Sequence, residues 1–180
     1  MSSPTISPPL QDSKRGELLT RLFRELQIAR FNELYYQRRA DWFRHLTTAA
    51  NIVSALAASA VLAKLLANSQ LFGWGPAAWQ ILAFVAAISA VAPVLGFETK
   101  GSQMEKAALG HAILKDRLAR LLSDLKSSEL GESHIARSQE IESFASALAA
   151  LDEAPAQRLV EKCWERALQE FPSDQAWNIV

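Results

Sequence analysis

Apolar residues recur at three–four spacing along most of this chain, and no apolar–polar alternation of the strand type is present, so the pattern predicts helices throughout. In Glu17–Arg44, Leu19, Leu22, Leu26, Ala29, Tyr36, Ala40 and Phe43 keep that spacing, with Glu33 interrupting it. Ile28, Phe31, Tyr35 and Trp42 lie on a neighbouring stripe, and two stripes predict contact with more than one helix. From Leu46 to Phe97 the pattern changes: Lys64 is the sole charged side chain, and Leu65–Phe97 has none. A membrane-spanning helix takes about 20 apolar residues. The stretch therefore reads as two spans, about 46–67 and 76–97, joined by an outer loop at 68–75 (NSQLFGWG). No Gly or Pro separates the first arm from the first span, so one helix from Glu17 to Leu66, about 75 Å long at 1.5 Å per residue, is expected.

After the apolar stretch, Met104, Ala107, His111, Leu114, Leu118, Leu121 and Leu125 form an unbroken heptad seam. Its obvious partner is the first arm, antiparallel across the hairpin; a second copy of itself would serve as well. Ser127–Glu132 (SSELGE) reads as a break. A helix over roughly Ser133–Leu151 follows, burying Ile141, Phe144, Leu148 and Leu151, and Asp152–Pro155 (DEAP) reads as a restart with proline in the first turn. The last helix carries Leu159, Val160, Cys163, Trp164, Ala167, Leu168 and Phe171, and Pro172 ends it. The fold class is all-α: a two-span transmembrane hairpin with long cytoplasmic helices packed as a bundle or coiled coil. Residues 1–16 read as a disordered tail, 17–45 as a juxtamembrane helix, 46–97 as the hairpin and 98–180 as a cytoplasmic helical region. A soluble bundle would have to bury two uncharged helices completely, and the rest of the chain is too small for that.

Charge sets the orientation. Lys and Arg balance Asp and Glu over the whole chain, which gives no argument for nucleic acid as a partner. Lys14, Arg15, Arg21, Arg24, Arg30, Arg38, Arg39 and Arg44 precede the hairpin and Lys100, Lys106, Lys115, Arg117 and Arg120 follow it, while 68–75 has no Lys or Arg. The positive-inside rule then puts both termini in the cytoplasm. Trp42 and Arg44 sit at the inner interface and Trp74 and Trp79 at the outer one, and Lys64 can snorkel to the headgroups. No apolar run precedes Leu46, so an internal hairpin without a cleaved signal suits a bacterial inner membrane.

Candidate chemistry is sparse. No phosphate loop, Cys pair or HExxH is present, and His45, His111 and His134 share no metal-ligand spacing. The expectation is a protein without enzymatic activity, cofactor or metal. His111 in the seam is expected to be a packed histidine hydrogen-bonded to a neighbour such as Glu33 or Tyr36, with a pH-sensing or ligand role as the alternative. In the first span Asn51, Ala55 and Ser59 share a face with Ser54 alongside, and in the second Ala83/Ala87, Ala86/Ala90 and Ser89 allow close helix approach. Asn51 either bonds between helices or lines a water path. Pro93 and Gly96 give the end of the second span the character of a hinge or of a helix terminus.

The charged–aromatic helix Glu33–Val53 (ELYYQRRADWFRHLTTAANIV), the tight hairpin, the helix Lys106–Leu121 (KAALGHAILKDRLARL) and the proline near Asp152–Pro155 together resemble the SLATT proteins, the SMODS- and SLOG-associating two-transmembrane effector domains. The resemblance is one of architecture and covers roughly Leu18 to Phe171. It implies a membrane effector of a bacterial anti-phage or conflict system, triggered by a sensor protein or by an enzyme that makes a cyclic nucleotide, and permeabilising the inner membrane as a homo-oligomer in the lipid bilayer. A membrane-anchored scaffold docking a partner, and a holin-like lysis protein, are the alternatives.

Overall fold

The structure is a computed structural model; it describes residues 8–66, 84, 87, 96–128, 130–149 and 157–172. Among the described residues it is all-helical: α1 (Pro8–Leu66), α2 (Phe97–Ser127), α3 (Glu132–Ala149) and α4 (Gln157–Glu170), with no strand. The chain divides into two compact units, one of Met1–Gln37 with Glu105–Val180, the other of Arg38–Met104.

α1 starts well before Glu17, so the part of the expected disordered tail from Pro8 to Gly16 is helical. The physical reason lies at the far end of α2. The last carbonyls of a helix lack intrahelical donors. Arg15 Nη2 donates to Leu125 O at 2.7 Å and to Lys126 O at 3.2 Å, so this first stretch of α1 caps α2. Pro8 and Pro9 are tolerated because first-turn amides have no acceptor in any case.

The first unit is built on the heptad seam from Ala107 onward; Met104, the seam's first residue, belongs to the second unit. Met104, Ala107, His111, Leu114, Leu118, Leu121 and Leu125 are all buried, Leu125 at 0% exposure. Leu114, Leu118, Leu121, Leu122 and Leu125 pack in one cluster with Leu22, Phe23, Leu26 and Ala29 of α1 and Ile141 and Leu148 of α3. The seam is thus satisfied within one chain. The first arm, the partner expected first, is what it packs against. The break at SSELGE holds: α2 ends at Ser127 and α3 begins at Glu132. His134 organises this turn, accepting from Gly131 N–H at its Nδ1 (3.2 Å) while its Nε2 lies 3.2 Å from Ser128 Oγ. α2 and α3 come close where Gly110 faces Leu148; a Cβ added there would lie 2.5 Å from Leu148 Cδ2. A mid-helix glycine costs about 1 kcal/mol of propensity, and here it makes room for a neighbouring core side chain.

In the second unit Phe43 is buried, with its ring centroid 6.4 Å from that of Phe97, and a Cβ added at Gly101 would lie 3.4 Å from Phe43 Cβ. Gly96 precedes α2 at φ +61°, and Lys100 N–H donates to its carbonyl at 2.9 Å. A left-handed residue just before a helix is where glycine is favoured. Among the described residues no helix is long and apolar enough to cross a membrane. The expected second span, 76–97, lies outside them apart from Phe84, Ala87, Gly96 and Phe97, and so does the outer loop 68–75.

Candidate functional site

The second unit's part of α1 carries the residues on which the sequence places membrane chemistry. Trp42, Arg44, Asn51, Ala55 and Ser59 are exposed, and Ser54 is half-buried. Asn51, Ala55 and Ser59 therefore do share one accessible face, with Ser54 to its side. Ala49, Ile52 and Leu56, beside them, were not singled out by the sequence. Trp42, His45, Ala49, Ile52, Leu56 and Ser59 are all exposed and follow a three–four repeat. Leu56 keeps 64% of its surface open, Trp42 58% and Ile52 56%. The signal was available as periodicity, but it was hidden in a stretch where nearly every residue is apolar.

Polar atoms on this segment turn back into the helix. Thr47 Oγ1 donates to Phe43 O (3.0 Å), Thr48 Oγ1 to Arg44 O (2.9 Å) and Ser59 Oγ to Ala55 O (2.8 Å). Each hydroxyl spends its proton on the carbonyl four residues back, so these side chains ask little of their surroundings. Phe84, described within the expected second span, is 68% exposed. Ser89 and Pro93, the latter half of the expected hinge, lie outside the described residues, as do Trp74 and Trp79; Lys64 is in α1, but its side chain is outside them.

In the first unit, His111 is 3% exposed, and its ring stacks on Tyr36 with 5.5 Å between centroids and 2° between planes. Of its two expected neighbours, Tyr36 is the one it meets face to face. Glu33 instead pairs with Lys115 (3.0 Å) and Arg30 (2.9 Å). A groove of about 380 Å³ lies along α1, α2 and α3, floored by Ala29, Leu114 and Leu118 and edged by Arg21, Asn32 and Glu142. The Arg21–Glu142 ion pair (3.0 Å) crosses it.

The sequence also gave no sign of the contacts that hold α4. Arg30 Nε and Nη2 donate to the two carboxylate oxygens of Glu170 at 2.7 and 2.8 Å, and Gln27 Nε2 donates to Phe171 O at 2.7 Å. The bidentate Arg30 guanidinium holds the Glu170 carboxyl below the usual carboxylate range, against an opposing effect of burial. Higher up α4, Trp164 meets Phe31 edge to face at 5.4 Å. Cys163 is buried, and no group of three or more His, Cys, Asp or Glu side chains among the described residues could hold a metal ion. No family model, curated protein or solved structure matches the chain.

Proposed function

We propose that this chain is a bacterial membrane effector whose apolar segment, about 46–67 and 76–97, forms a two-span hairpin, and whose copies assemble to permeabilise the bilayer on a signal from a sensor protein or a nucleotide. The observation that carries the membrane part is the exposed face of α1. Ile52, Leu56 and Trp42 are open to the surroundings, and the hydroxyls beside them are satisfied by α1's own carbonyls. Apolar area left open is unfavourable in water at about 25 cal/mol per Å², and is at home against lipid. The uncharged run Leu65–Phe97, with Phe84 exposed in it, extends the same property. The effector part rests on the resemblance to the SLATT proteins.

A second reading is favoured by the closure of the heptad seam. With that seam buried in one chain, the helical unit is a finished surface that can dock a partner, and the hairpin is then an anchor. One experiment separates the two. The full chain is reconstituted into liposomes loaded with dye, washed with carbonate, and followed with and without a panel of cyclic oligonucleotides. Retention through the wash with leakage supports the effector. Retention without leakage under any condition favours the anchored scaffold. Release by carbonate overturns the membrane reading.

A further inference from the structure

The exposed stripe of α1 changes chemistry along its length. Ile52 and Leu56 form its apolar end, with His45 and Trp42 above them. One further step of the same three–four repeat reaches Arg38, which is also exposed. From Arg38 to Leu56 is about 27 Å of helix at 1.5 Å per residue. Over that length the stripe passes from a guanidinium to an indole, an imidazole and then aliphatic side chains. The start of α2 stands beside it in the same unit. Phe43 meets Phe97 at 6.4 Å between ring centroids, and a Cβ on Gly101 would lie 3.4 Å from Phe43 Cβ. Lys100, exposed between those two α2 residues, is therefore held at the level of the α1 turn that carries Trp42 and Arg44. In this band, 38–44 with 96–100, Arg38, Arg39, Arg44 and Lys100 outnumber Asp41 and Glu98, in a chain whose charges balance overall. Arg39 lies over the Phe43 ring at 5.8 Å, whereas Arg38 and Lys100 make no ion pair among the described residues.

We infer that this band is a site for anionic lipid: Arg38 and Lys100 receive the phosphodiester of a headgroup that carries net negative charge, and the exposed ring of Trp42 lies at the level of its acyl esters. The site rests on the membrane reading above and gives that reading a lipid class. Guanidinium and ammonium groups make charge-assisted hydrogen bonds to phosphate oxygens, and an indole is at home where headgroup meets hydrocarbon. A zwitterionic headgroup offers the same phosphate with its charge cancelled by its own amine. The excess of cations in the band therefore favours lipids such as phosphatidylglycerol over phosphatidylcholine. Each Lys or Arg near an anionic surface is worth about fivefold in affinity. The occupant is a lipid and not an acidic peptide because the cations continue without interruption into Ile52 and Leu56. A partner that matched the charge alone would leave those two side chains open.

The test uses the full chain in non-ionic detergent with equimolar phosphatidylglycerol and phosphatidylcholine of the same acyl chains, and native mass spectrometry reads the ratio of the two lipids bound. Phosphatidylglycerol is expected to exceed phosphatidylcholine by about tenfold or more. Arg38→Gln and Lys100→Gln are each expected to lower that ratio about fivefold, and Arg38→Lys, which keeps the charge, to retain most of it. Arg120→Gln removes an exposed cation elsewhere on α2 and should leave the ratio unchanged. Higher ionic strength should shrink the preference, as screening requires. Equal binding of the two lipids by the wild-type chain overturns the site, and so does a loss with Arg120→Gln as large as the loss with Lys100→Gln. Carbonate extraction from vesicles of each lipid keeps this failure apart from failure of the membrane reading. A chain retained in both kinds of vesicle without a lipid preference refutes the site alone. Release from both refutes the membrane reading and the site with it.

Discussion

The imidazole of His111 lies parallel to the phenol ring of Tyr36, 2° from coplanar orientation with centroids 5.5 Å apart, in the contact between α2 and α1. Stacked ring pairs contribute about 0.5–1.5 kcal/mol beyond the area they bury. A double-mutant cycle of His111→Ala and Tyr36→Ala, followed by urea unfolding, is expected to give a coupling energy of about 1 kcal/mol. Strict additivity would mean that the two rings are neighbours without being partners.

Leu118 and Leu109 lie on one helix and have opposite surroundings. Leu118 is 1% exposed inside the cluster, and Leu109 is 62% exposed. Leu118→Ala is expected to lower stability by about 3 kcal/mol, and Leu109→Ala by less than about 0.5 kcal/mol. Leu118→Lys should abolish cooperative unfolding of the first unit. Comparable small losses at both leucines would mean that the seam is not the core of a single chain.

Glu170 should make the docking of α4 depend on pH. Its carboxyl is held low by Arg30 in the folded chain, so the unfolded chain binds a proton more readily. The stabilisation is complete above the ordinary carboxylate value of about 4.3 and is lost as pH falls through the lower folded value. Trp164 fluorescence and amide exchange in α4, measured downward from pH 6, should report loosening below about pH 4. The change should be smaller in Glu170→Gln, whose docking is weaker at neutral pH from the start.

Gly110 and Leu148 form a pair whose effects should not add. Gly110→Ala gains about 1 kcal/mol of helix propensity. It also forces Leu148 out of its rotamer, because the new Cβ would sit 2.5 Å from Leu148 Cδ2. Those terms roughly cancel, since an off-rotamer side chain costs about 0.5–1.5 kcal/mol. In a Leu148→Ala background the obstruction is gone, and Gly110→Ala should then stabilise by about 1 kcal/mol. Thermal unfolding of the four combinations checks it.

The helices and the seam were legible because periodicity is local information. Leu19, Leu22, Leu26, Ala29, Tyr36, Ala40 and Phe43 were expected on one stripe, and all are buried except Leu19, which is partly so. Phe23, Leu34 and Gln27 are buried as well and lie off the main stripe, because several helices cover α1 and no single face describes it. The α1 start was hidden by its proline- and serine-rich composition; Arg15's hydrogen bond to Leu125, across 110 positions, is what uses the extra turns. Arg30 and Glu170, 140 positions apart, carry no mark that distinguishes them from the other charges on solvated helix faces. For the apolar segment, sequence identified the exposed residues Asn51 and Ser59 and missed Ile52 and Leu56, since in a run of uniformly apolar residues hydropathy cannot say which side faces outward.

The backbone at Gly96 has a handedness consequence. Its φ of +61° is the mirror image of the ordinary helical value, and a Cβ added there would meet no atom of the described residues within 4 Å. An L-alanine at 96 should therefore cost about 1–2 kcal/mol through torsion alone. A D-alanine introduced by chemical ligation finds that torsion native to its own chirality, and should instead stabilise the start of α2 by about 0.4–1 kcal/mol by removing freedom from the unfolded chain. Gly96 is thus a position where an achiral residue stands in for a right-handed one, and a pair of enantiomers would read the sign of that torsion directly from a melting curve.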